Sequence, residues 1–250
     1  MLKIGKINYL NVYPIFEGLK KYCQFCEFVE GEPSKLNEMI YNGEIDVCPS
    51  SSVEYLKNRE KYFLFDEFSI SSRKKILSVI LVLNNHIEEI SNDTEIYLTP
   101  SSATSNSLVK IIFFEFYGKK PKFIMNSENI FNKKNQVLIG DNALNFYFRN
   151  SENFYIYDLA ELWYNFTKLP FVFALWIVNR SFYEKNNELI EIFRKILKKS
   201  IRSYVIPKNY KDFKQEEIIE YFQYVDYNFS SIHRESLELF ERLGKKWKIF

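Results

Sequence analysis

The stretch Leu98-Thr-Pro-Ser-Ser-Ala-Thr-Ser-Asn-Ser-Leu108 leads out of a short apolar strand, Glu95-Ile-Tyr-Leu98, and into a helix. The apolar residues that follow are spaced as in a helix, and a glycine ends the pattern: Leu108, Ile111, Ile112, Phe116 and Gly118. The five hydroxyl residues between 101 and 107 therefore lie at a helix start, where backbone N–H groups have no acceptor within the helix and the helix dipole favours negative charge. We predict an anion-binding turn here. Helix N-capping alone is the competing interpretation, but one Ser or Thr is enough for that role.

Three further strand-to-helix turns carry polar residues, at 8–14, 49–52 and 140–142. In the first turn, Asn11 precedes Pro14, a residue that favours the first turn of a helix. The side-chain amide of Asn11 can point at a ligand or belong to an ordinary turn, and the spacing leaves both interpretations open.

The other two turns contain residues that suit helix capping. Ser51 and Glu54 match a capping box, which leaves Ser50 spare in the same turn. Asp141 follows Gly140 where a helix is expected to begin, and we expect it to be the N-cap.

Ser78 is the one polar residue in the apolar stretch of a long strand predicted at 75–83. A buried hydroxyl needs a hydrogen-bond partner, either the backbone or a ligand. A second run, 171–180, is also apolar on both faces. We expect the two strands to be partners that form a hinge.

The alternation of strands and helices with short turns predicts an α/β fold with parallel sheets and ligands at the carboxyl ends of the strands. The four polar turns would then face one cleft. We predict a two-lobed type II periplasmic-binding-protein-like fold with two hinge strands and a helical C-terminal tail. Residues 1–84 and 175–250 form the first lobe, three C-terminal helices included, and residues 85–174 form the second, with a polar connection at 126–135.

Composition excludes several classes of protein. The chain of 250 residues has 46% hydrophobic residues and a net charge of +2, which indicates a globular protein and argues against nucleic acid as a partner. The N-terminal residues do not resemble a secretory signal, and the longest apolar runs are far below the roughly 20 residues that span a bilayer. We therefore expect a cytoplasmic protein without a membrane partner; the oligomeric state is left open.

Cysteine and histidine give no metal signature. Cys23 and Cys26 form a C-x-x-C pair without a second pair, and Cys48 stands alone. We expect buried thiols in a reduced compartment. The two histidines, His86 and His233, lie outside the polar turns, so we expect neither a metal nor another cofactor.

Read together, the motifs resemble the chorismate dehydratase family of the futalosine route to menaquinone. The resemblance runs in unbroken order from residue 3 to about 180, over eight stretches. They include Lys3-Ile-Gly-Lys-Ile-Asn-Tyr-Leu-Asn-Val-Tyr-Pro14, Pro49-Ser-Ser-Ser-Val-Glu-Tyr55, Leu98-Thr-Pro-Ser-Ser-Ala-Thr-Ser105 and Asp158-Leu-Ala-Glu-Leu-Trp163. Each stretch alone is a weak signal, whereas eight in order are specific.

The resemblance implies roles for individual residues. Asn11 and Ser78 would be catalytic, with Ser72 as a second serine close to Ser78. The Ser-Ala-Thr-Ser turn would hold a substrate carboxylate, and further substrate contacts would come from the other matched turns. The implied substrate-binding residues are Ser50, Ser51, Ser72, Ser102, Ala103, Thr104, Ser105 and Asp141. Two departures are visible: Lys168 stands where the family commonly has Gly, and Arg73-Lys-Lys75 replaces a smaller, less charged segment.

The implied substrate, chorismate, is a small dianion, and helix N-termini with hydroxyl groups can bind carboxylates without arginine. The polar turns contain no histidine, and their carboxylates, Glu54 and Asp141, are expected in capping roles. The hypothesis that follows is that the substrate's own enolpyruvyl carboxylate removes the ring proton.

Two other functions stay open. A solute-binding module of the same fold is the first, and the lack of an export signal counts against it. The naphthoate-forming enzyme later in the same pathway is the second, and we would expect a histidine in its cleft motifs.

Overall fold

The computed structural model describes residues 1–125, 135–150 and 154–250. The connection expected at 126–135 lies outside these residues, apart from its last residue. The strands and helices are, in chain order, Leu2–Lys6 (β1), Tyr13–Tyr22 (α1), Cys26–Glu30 (β2), Pro33–Asn42 (α2), Val47–Ser51 (β3), Ser52–Lys57 (α3), Tyr62–Ser72 (β4), Val79–Leu83 (β5), Glu95–Leu98 (β6), Ala103–Ile111 (α4), Lys122–Met125 (β7), Gln136–Ile139 (β8), Gly140–Asn150 (α5), Tyr155–Asp158 (β9), Leu159–Thr167 (α6), Phe171–Asn179 (β10), Arg180–Lys185 (α7), Asn187–Arg202 (α8), Gln215–Phe222 (α9), Val225–Asn228 (β11) and Ser231–Lys246 (α10).

The chain forms two compact units. Unit 1 comprises residues 1–70 and 173–229, and unit 2 comprises residues 71–172 and 230–250. The chain passes from one unit to the other within β4, within β10 and just before α10.

Unit 1 is built on a sheet with the strand order β11-β4-β10-β3-β1-β2. Strand β1 is parallel to both β2 and β3, so the turns after β1 and β3 lie at the same edge of the sheet. Helix α1 has Pro14 in its first turn, as predicted, and buries Ile15, Phe16 and Leu19. Helix α2 ends at Gly43, whose φ of 74° is the left-handed conformation that glycine adopts without strain.

Unit 2 is built on a sheet with the strand order β7-β6-β8-β5-β9. Strand β6 is parallel to β7 and β8, whereas β5 is antiparallel to β8 and β9. Helix α4 follows β6 as predicted, and it continues into a π-helical turn at Ile112–Phe116.

The predicted hinge is wrong in one of its two strands. Residues 79–83 pair on both sides within the sheet of unit 2, while β10 pairs with β3 in unit 1. The run at 75–83 is apolar on both faces because β5 is a central strand of its own sheet. The strand next to β10 in the sheet order is β4, and these two strands carry the chain between the units.

The unit boundaries also differ from the predicted lobes, which changed at residues 84 and 174. The change occurs at 70 and 172, and α10 belongs to unit 2. Helix α10 is held there because Trp163 Nε1 donates a hydrogen bond to Ser236 Oγ at 3.0 Å and Phe240 contacts the ring of Phe171. The C-terminal tail is not wholly helical, since β11 lies within it.

The three cysteines form one disulfide and one free thiol. The structure joins Cys23 and Cys26 in a disulfide across 5.4 Å between their Cα atoms, so the expectation of thiols at this pair is wrong. Cys48 is a buried thiol, as expected, and burial raises its pKa to about 12. Among the described residues, no helix is long and apolar enough to cross a bilayer.

Candidate active site

The turn between β1 and α1 positions Asn11 in unit 1. The Asn11 carbonyl accepts a hydrogen bond from the Tyr227 hydroxyl, and the carbonyl of Asn8 accepts one from the Tyr210 hydroxyl at 3.0 Å. The turn is therefore held by two tyrosines from the C-terminal segment of unit 1, residues 173–229. The side-chain Oδ1 of Asn11 is buried and has no hydrogen-bond partner in the described part of the chain. A buried amide oxygen without a donor is costly in a folded protein and is typical of a site that meets a ligand.

The turn after β3 contributes Ser50 and Ser51 to unit 1. Ser50 is fully buried, and its Oγ has no hydrogen-bond partner of good geometry among the residues that the structure describes; the neighbouring Cys48 thiol is a weak partner. Ser51 is the N-cap of α3, because its Oγ accepts a hydrogen bond from Glu54 N at 3.3 Å. The same Oγ accepts a second hydrogen bond from Asn37 Nδ2, at 3.1 Å.

The predicted capping box at this turn is only half formed. Ser51 caps the helix, but the Glu54 carboxylate accepts hydrogen bonds from the Tyr62 hydroxyl and from Asn58 Nδ2 instead of reaching back to residue 51. Burial together with the Glu54 carboxylate raises the pKa of Tyr62 above its ordinary value. The Tyr62 hydroxyl and the Glu54 carboxylate are therefore hydrogen-bonded to each other.

The hydroxyl-rich turn of unit 2 begins helix α4. Ser102 is its N-cap: Ser102 Oγ accepts a hydrogen bond from Ser105 N at 3.1 Å and lies 2.9 Å from Ser105 Oγ. Ala103 is exposed, whereas Thr104 and Ser105 are buried. The turn is closed by Asn106, whose side chain accepts from Thr99 N and donates to Thr99 O. Capping thus explains Ser102 but not the buried hydroxyl of Thr104.

Ser78 and Ser72 lie on either side of an irregular segment in unit 2. Ser78 is buried just before β5, and its carbonyl accepts a hydrogen bond from Gly140 N at 2.7 Å. The structure therefore brings Ser78 next to the turn that carries Asp141. Ser72 is fully buried, and its hydroxyl donates to the carbonyl of Lys75, so that proton is used within the segment itself.

Asp158 holds the segment that precedes Ser78. One carboxylate oxygen accepts hydrogen bonds from Ile76 N at 2.7 Å and Leu77 N at 2.6 Å, and the other caps helix α6 through Ala160 N and Glu161 N. Leu77 has a φ of 63°, a conformation that costs a bulky residue roughly 1–2 kcal/mol. Burial raises the pKa of Asp158 to about 6, against the four backbone N–H groups that favour its ionised form.

Asp141 lies inside the first turn of α5, which begins at Gly140, and not at the N-cap position predicted for it. Its carboxylate is buried near the positive end of that helix. The candidate residues are divided between the two units, and we refer to them by unit as two groups. The group in unit 1 contains Asn11, Ser50 and Ser51, and the group in unit 2 contains Ser72, Ser78, Ser102, Ala103, Thr104, Ser105 and Asp141.

Three residues of functional interest were missed by sequence reasoning. Asn37 contacts Ser51, Asp158 holds the segment before Ser78, and Tyr227 holds the turn of Asn11. Asp158 stood in a matched motif and could have been singled out as a helix cap, but Asn37 and Tyr227 act across distances in the chain that no local pattern reveals. Within the described part of the chain, no three His, Cys, Asp or Glu side chains cluster as metal ligands would.

Comparisons with known proteins identify the family and the relatives of the chain. A family model described as menaquinone biosynthesis matches residues 2–246. The chain is 32% identical over 229 residues to a chorismate dehydratase of Campylobacter jejuni subsp. jejuni, covering 89% of this chain and 86% of that protein. It is 28% identical over 197 residues to a chorismate dehydratase of Thermus thermophilus, covering 71% and 69%.

The fold is similar to that of a Candida albicans protein with the generic periplasmic binding protein structural fold. That comparison has a TM-score of 0.62 and 12% sequence identity and covers 100% of this chain and 95% of the other. The likeness confirms the predicted fold class. At this identity it carries no information about the ligand.

Proposed function

The chain belongs to the menaquinone biosynthesis family, whose model matches residues 2–246, and we propose that it acts as a chorismate dehydratase. In this reaction chorismate loses the ring hydroxyl and a ring proton, and the product is 3-[(1-carboxyvinyl)oxy]benzoate. The enzyme is then a hydro-lyase of the futalosine route. The observation that carries the proposal is the 32% identity to a protein of that name over most of both chains.

The residue roles belong to the same proposal. Thr104 and Ser105, at the start of α4, bind a substrate carboxylate through hydroxyl and backbone N–H groups, with Ser102 and Ala103 completing the turn. A carboxylate is suited to this position because the helix dipole and the N–H groups of the first turn favour negative charge. Asn11 and Ser78 are the catalytic residues, and Ser50, Ser51, Ser72 and Asp141 are further substrate contacts.

A base for the ring proton has to be found among these groups. Asn, Ser and Thr side chains do not accept a proton near neutral pH, and the Glu54 carboxylate is held by Tyr62 and Asn58. The Asp141 carboxylate lies in the first turn of α5, where the helix dipole stabilises its negative charge. We assign the base to the enolpyruvyl carboxylate of the substrate itself. The protein then contributes orientation and hydrogen bonds to developing charge, each a recognised source of rate enhancement. No metal or other cofactor takes part in this scheme.

The test is to incubate the purified protein with chorismate and to follow the product by chromatography and mass. We expect conversion by the wild-type protein, strongly reduced conversion by Asn11→Ala and Ser78→Ala with unchanged thermal unfolding, and substantial activity in Glu54→Gln and Asp141→Asn. Binding of chorismate without conversion would point to a solute-binding module and refute the proposal. A single carboxylate whose neutral replacement abolishes turnover, with binding intact, would identify a protein base.

A cytoplasmic location remains a prediction of the sequence. It can be checked by fractionating cells that express the tagged full-length chain.

A further inference from the structure

Asn37 has a side chain with two different environments. It lies on helix α2 of unit 1, between the buried residues Leu36 and Ile40. Its Nδ2 donates a hydrogen bond to Ser51 Oγ at 3.1 Å. Its Oδ1 is buried and has no hydrogen-bond partner among the described residues.

The contact with Ser51 uses one of the two N–H groups of the Asn37 amide. Ser51 Oγ accepts hydrogen bonds from Asn37 Nδ2 and from Glu54 N, which uses both acceptor positions of the hydroxyl. The amide oxygen is the side-chain atom of Asn37 that has no partner at all among the described residues. An unpaired buried amide oxygen is unfavourable, and leucine would occupy the same space without that cost. Asn37 Oδ1 therefore needs a hydrogen-bond donor from outside the polypeptide.

The surroundings identify the ligand as the substrate of the unit 1 group. Asn11 Oδ1 and Ser50 Oγ are also buried without a hydrogen bond of good geometry among the described residues. Asn11 lies in the turn after β1, and Ser50 is the next-to-last residue of β3, the parallel neighbour of β1. Asn37 reaches this group through Ser51, the last residue of β3.

The chemistry of chorismate limits what Asn37 Oδ1 can contact. Both carboxylates are ionised near neutral pH and can only accept hydrogen bonds, so an amide oxygen beside them would be repelled. The ring hydroxyl is the one hydrogen-bond donor of the dianion. We propose that Asn37 is a substrate-contacting residue whose Oδ1 accepts a hydrogen bond from the ring hydroxyl of chorismate, while its Nδ2 orients Ser51. The inference rests on the proposed function and adds to it a residue that recognises the hydroxyl that is lost.

The experiment compares a ligand that has the hydroxyl with one that lacks it. Asn37→Ala and Asn37→Leu remove the amide, the second with little change in volume. Asn42→Ala is the matched control, because Asn42 is an exposed residue of the same helix whose side chain donates only to Glu44. For each protein we would measure kcat/KM for chorismate, the affinity for the product, which has no ring hydroxyl, and the melting temperature.

We expect both Asn37 variants to lose about tenfold in kcat/KM relative to Asn42→Ala, the effect of one buried hydrogen bond. Product affinity should stay within about twofold of the control. Values of kcat/KM equal to the control would overturn the inference, and so would a product affinity that falls as much as kcat/KM, since Asn37 would then act on a group common to both ligands. A wild-type protein that does not convert chorismate would refute the proposed function and this inference with it.

Discussion

At the scale of single residues, Lys168 shows how a backbone conformation explains a departure from the family. Lys168 is the C-cap of α6 and has a φ of 62°, in the left-handed region. Glycine is the residue that adopts this conformation without steric cost, which accounts for its being common at this position in the family that the sequence resembles. The conformational cost at Lys168 is partly offset, because Lys168 Nζ donates a hydrogen bond to the carbonyl of Asn165 at 2.9 Å.

Replacing Lys168 with glycine should therefore stabilise the protein. We expect Lys168→Gly to raise the free energy of unfolding by about 1 kcal/mol, since the left-handed conformation costs a non-glycine residue roughly 1–2 kcal/mol and the exposed contact to Asn165 offsets only part of it. Chemical denaturation measures the change. The control is Lys195→Gly in the middle of helix α8, where the same substitution should destabilise by about 1 kcal/mol. A loss of stability in both variants would contradict the explanation.

At the scale of elements, the start of helix α4 is predicted to bind a substrate carboxylate. Thr104→Val and Ser105→Ala each remove one hydroxyl with little change in shape. We expect each to weaken binding of chorismate or product by about 1.5–3 kcal/mol, the range for a charge-assisted hydrogen bond. Calorimetric titration with the product measures this. Ser107→Ala, on the same helix, is the control. Unchanged affinity in Thr104→Val and Ser105→Ala would show that the hydroxyls serve only to cap the helix.

The C-terminal strand β11 should support the turn of Asn11. Tyr227 lies in β11, and its hydroxyl donates to the Asn11 carbonyl. We expect Tyr227→Phe to lower kcat several-fold and to cost only about 0.5–1.5 kcal/mol of stability, the range for one hydrogen bond. Tyr183→Phe is the control, because it removes a hydroxyl from a tyrosine of the same unit whose ring stacks on Phe63. Equal kcat values in both variants would mean that the turn holds its conformation without the tyrosine.

At the scale of the whole molecule, the dependence of turnover on pH should reflect Asp158. The carboxyl group has a pKa raised by burial to about 6, and its ionised form holds Ile76 N and Leu77 N before Ser78. We expect kcat to be flat from about pH 7 to 9, because no proposed base of the protein titrates there, and to fall below about pH 6.

Unfolding does not account for that expected fall. The folded pKa of Asp158 exceeds its value of about 3.9 in an unfolded chain, so the folded state binds the proton more tightly. The contribution of this group to the free energy of unfolding therefore increases as the pH falls from about 6 to 4. Melting temperatures recorded with the kinetic profile separate the two effects. An inflection of kcat between about pH 7 and 9 would instead indicate a base on the protein.

The sequence predicted the ends of strands well where turn residues mark them. Strands 95–98, 122–125 and 155–158 have the predicted bounds, because each is a short run of apolar or aromatic residues between turn residues. The fold class followed from the alternation of such strands with helices. Of the candidate residues, Ser51 was recognised as a cap from its position, whereas the sequence did not indicate which hydroxyl of the turn before α4 is the cap.

Other features depend on contacts between distant parts of the chain. The strand predicted at 75–83 begins only at residue 79, because Asp158 holds Ile76 and Leu77 in an irregular conformation. Nothing near Leu77 in the sequence indicates its left-handed backbone. Asn37 likewise looks like an ordinary helix residue until its contact with Ser51 is known. Strand β11 has only four residues and lies at the edge of its sheet, so its pattern is too short to distinguish from a helix end.

The π-helical turn at 112–116 has a consequence for the length of the chain. The hydrogen bond from Tyr117 N to the carbonyl of Ile112 spans five residues, so the turn contains one residue more than the same stretch of α-helix would. The wider turn takes up the surplus residue, so Phe116 can stack on Phe166 and Glu115 can bind Lys246 and Trp247. Deleting one residue within the turn should therefore convert it into α-helix and keep these contacts in phase. The same deletion one turn earlier, in regular α-helix, would rotate the residues after it by roughly 100°. The π-helical turn is thus the place in this helix where a change in chain length disturbs unit 2 least.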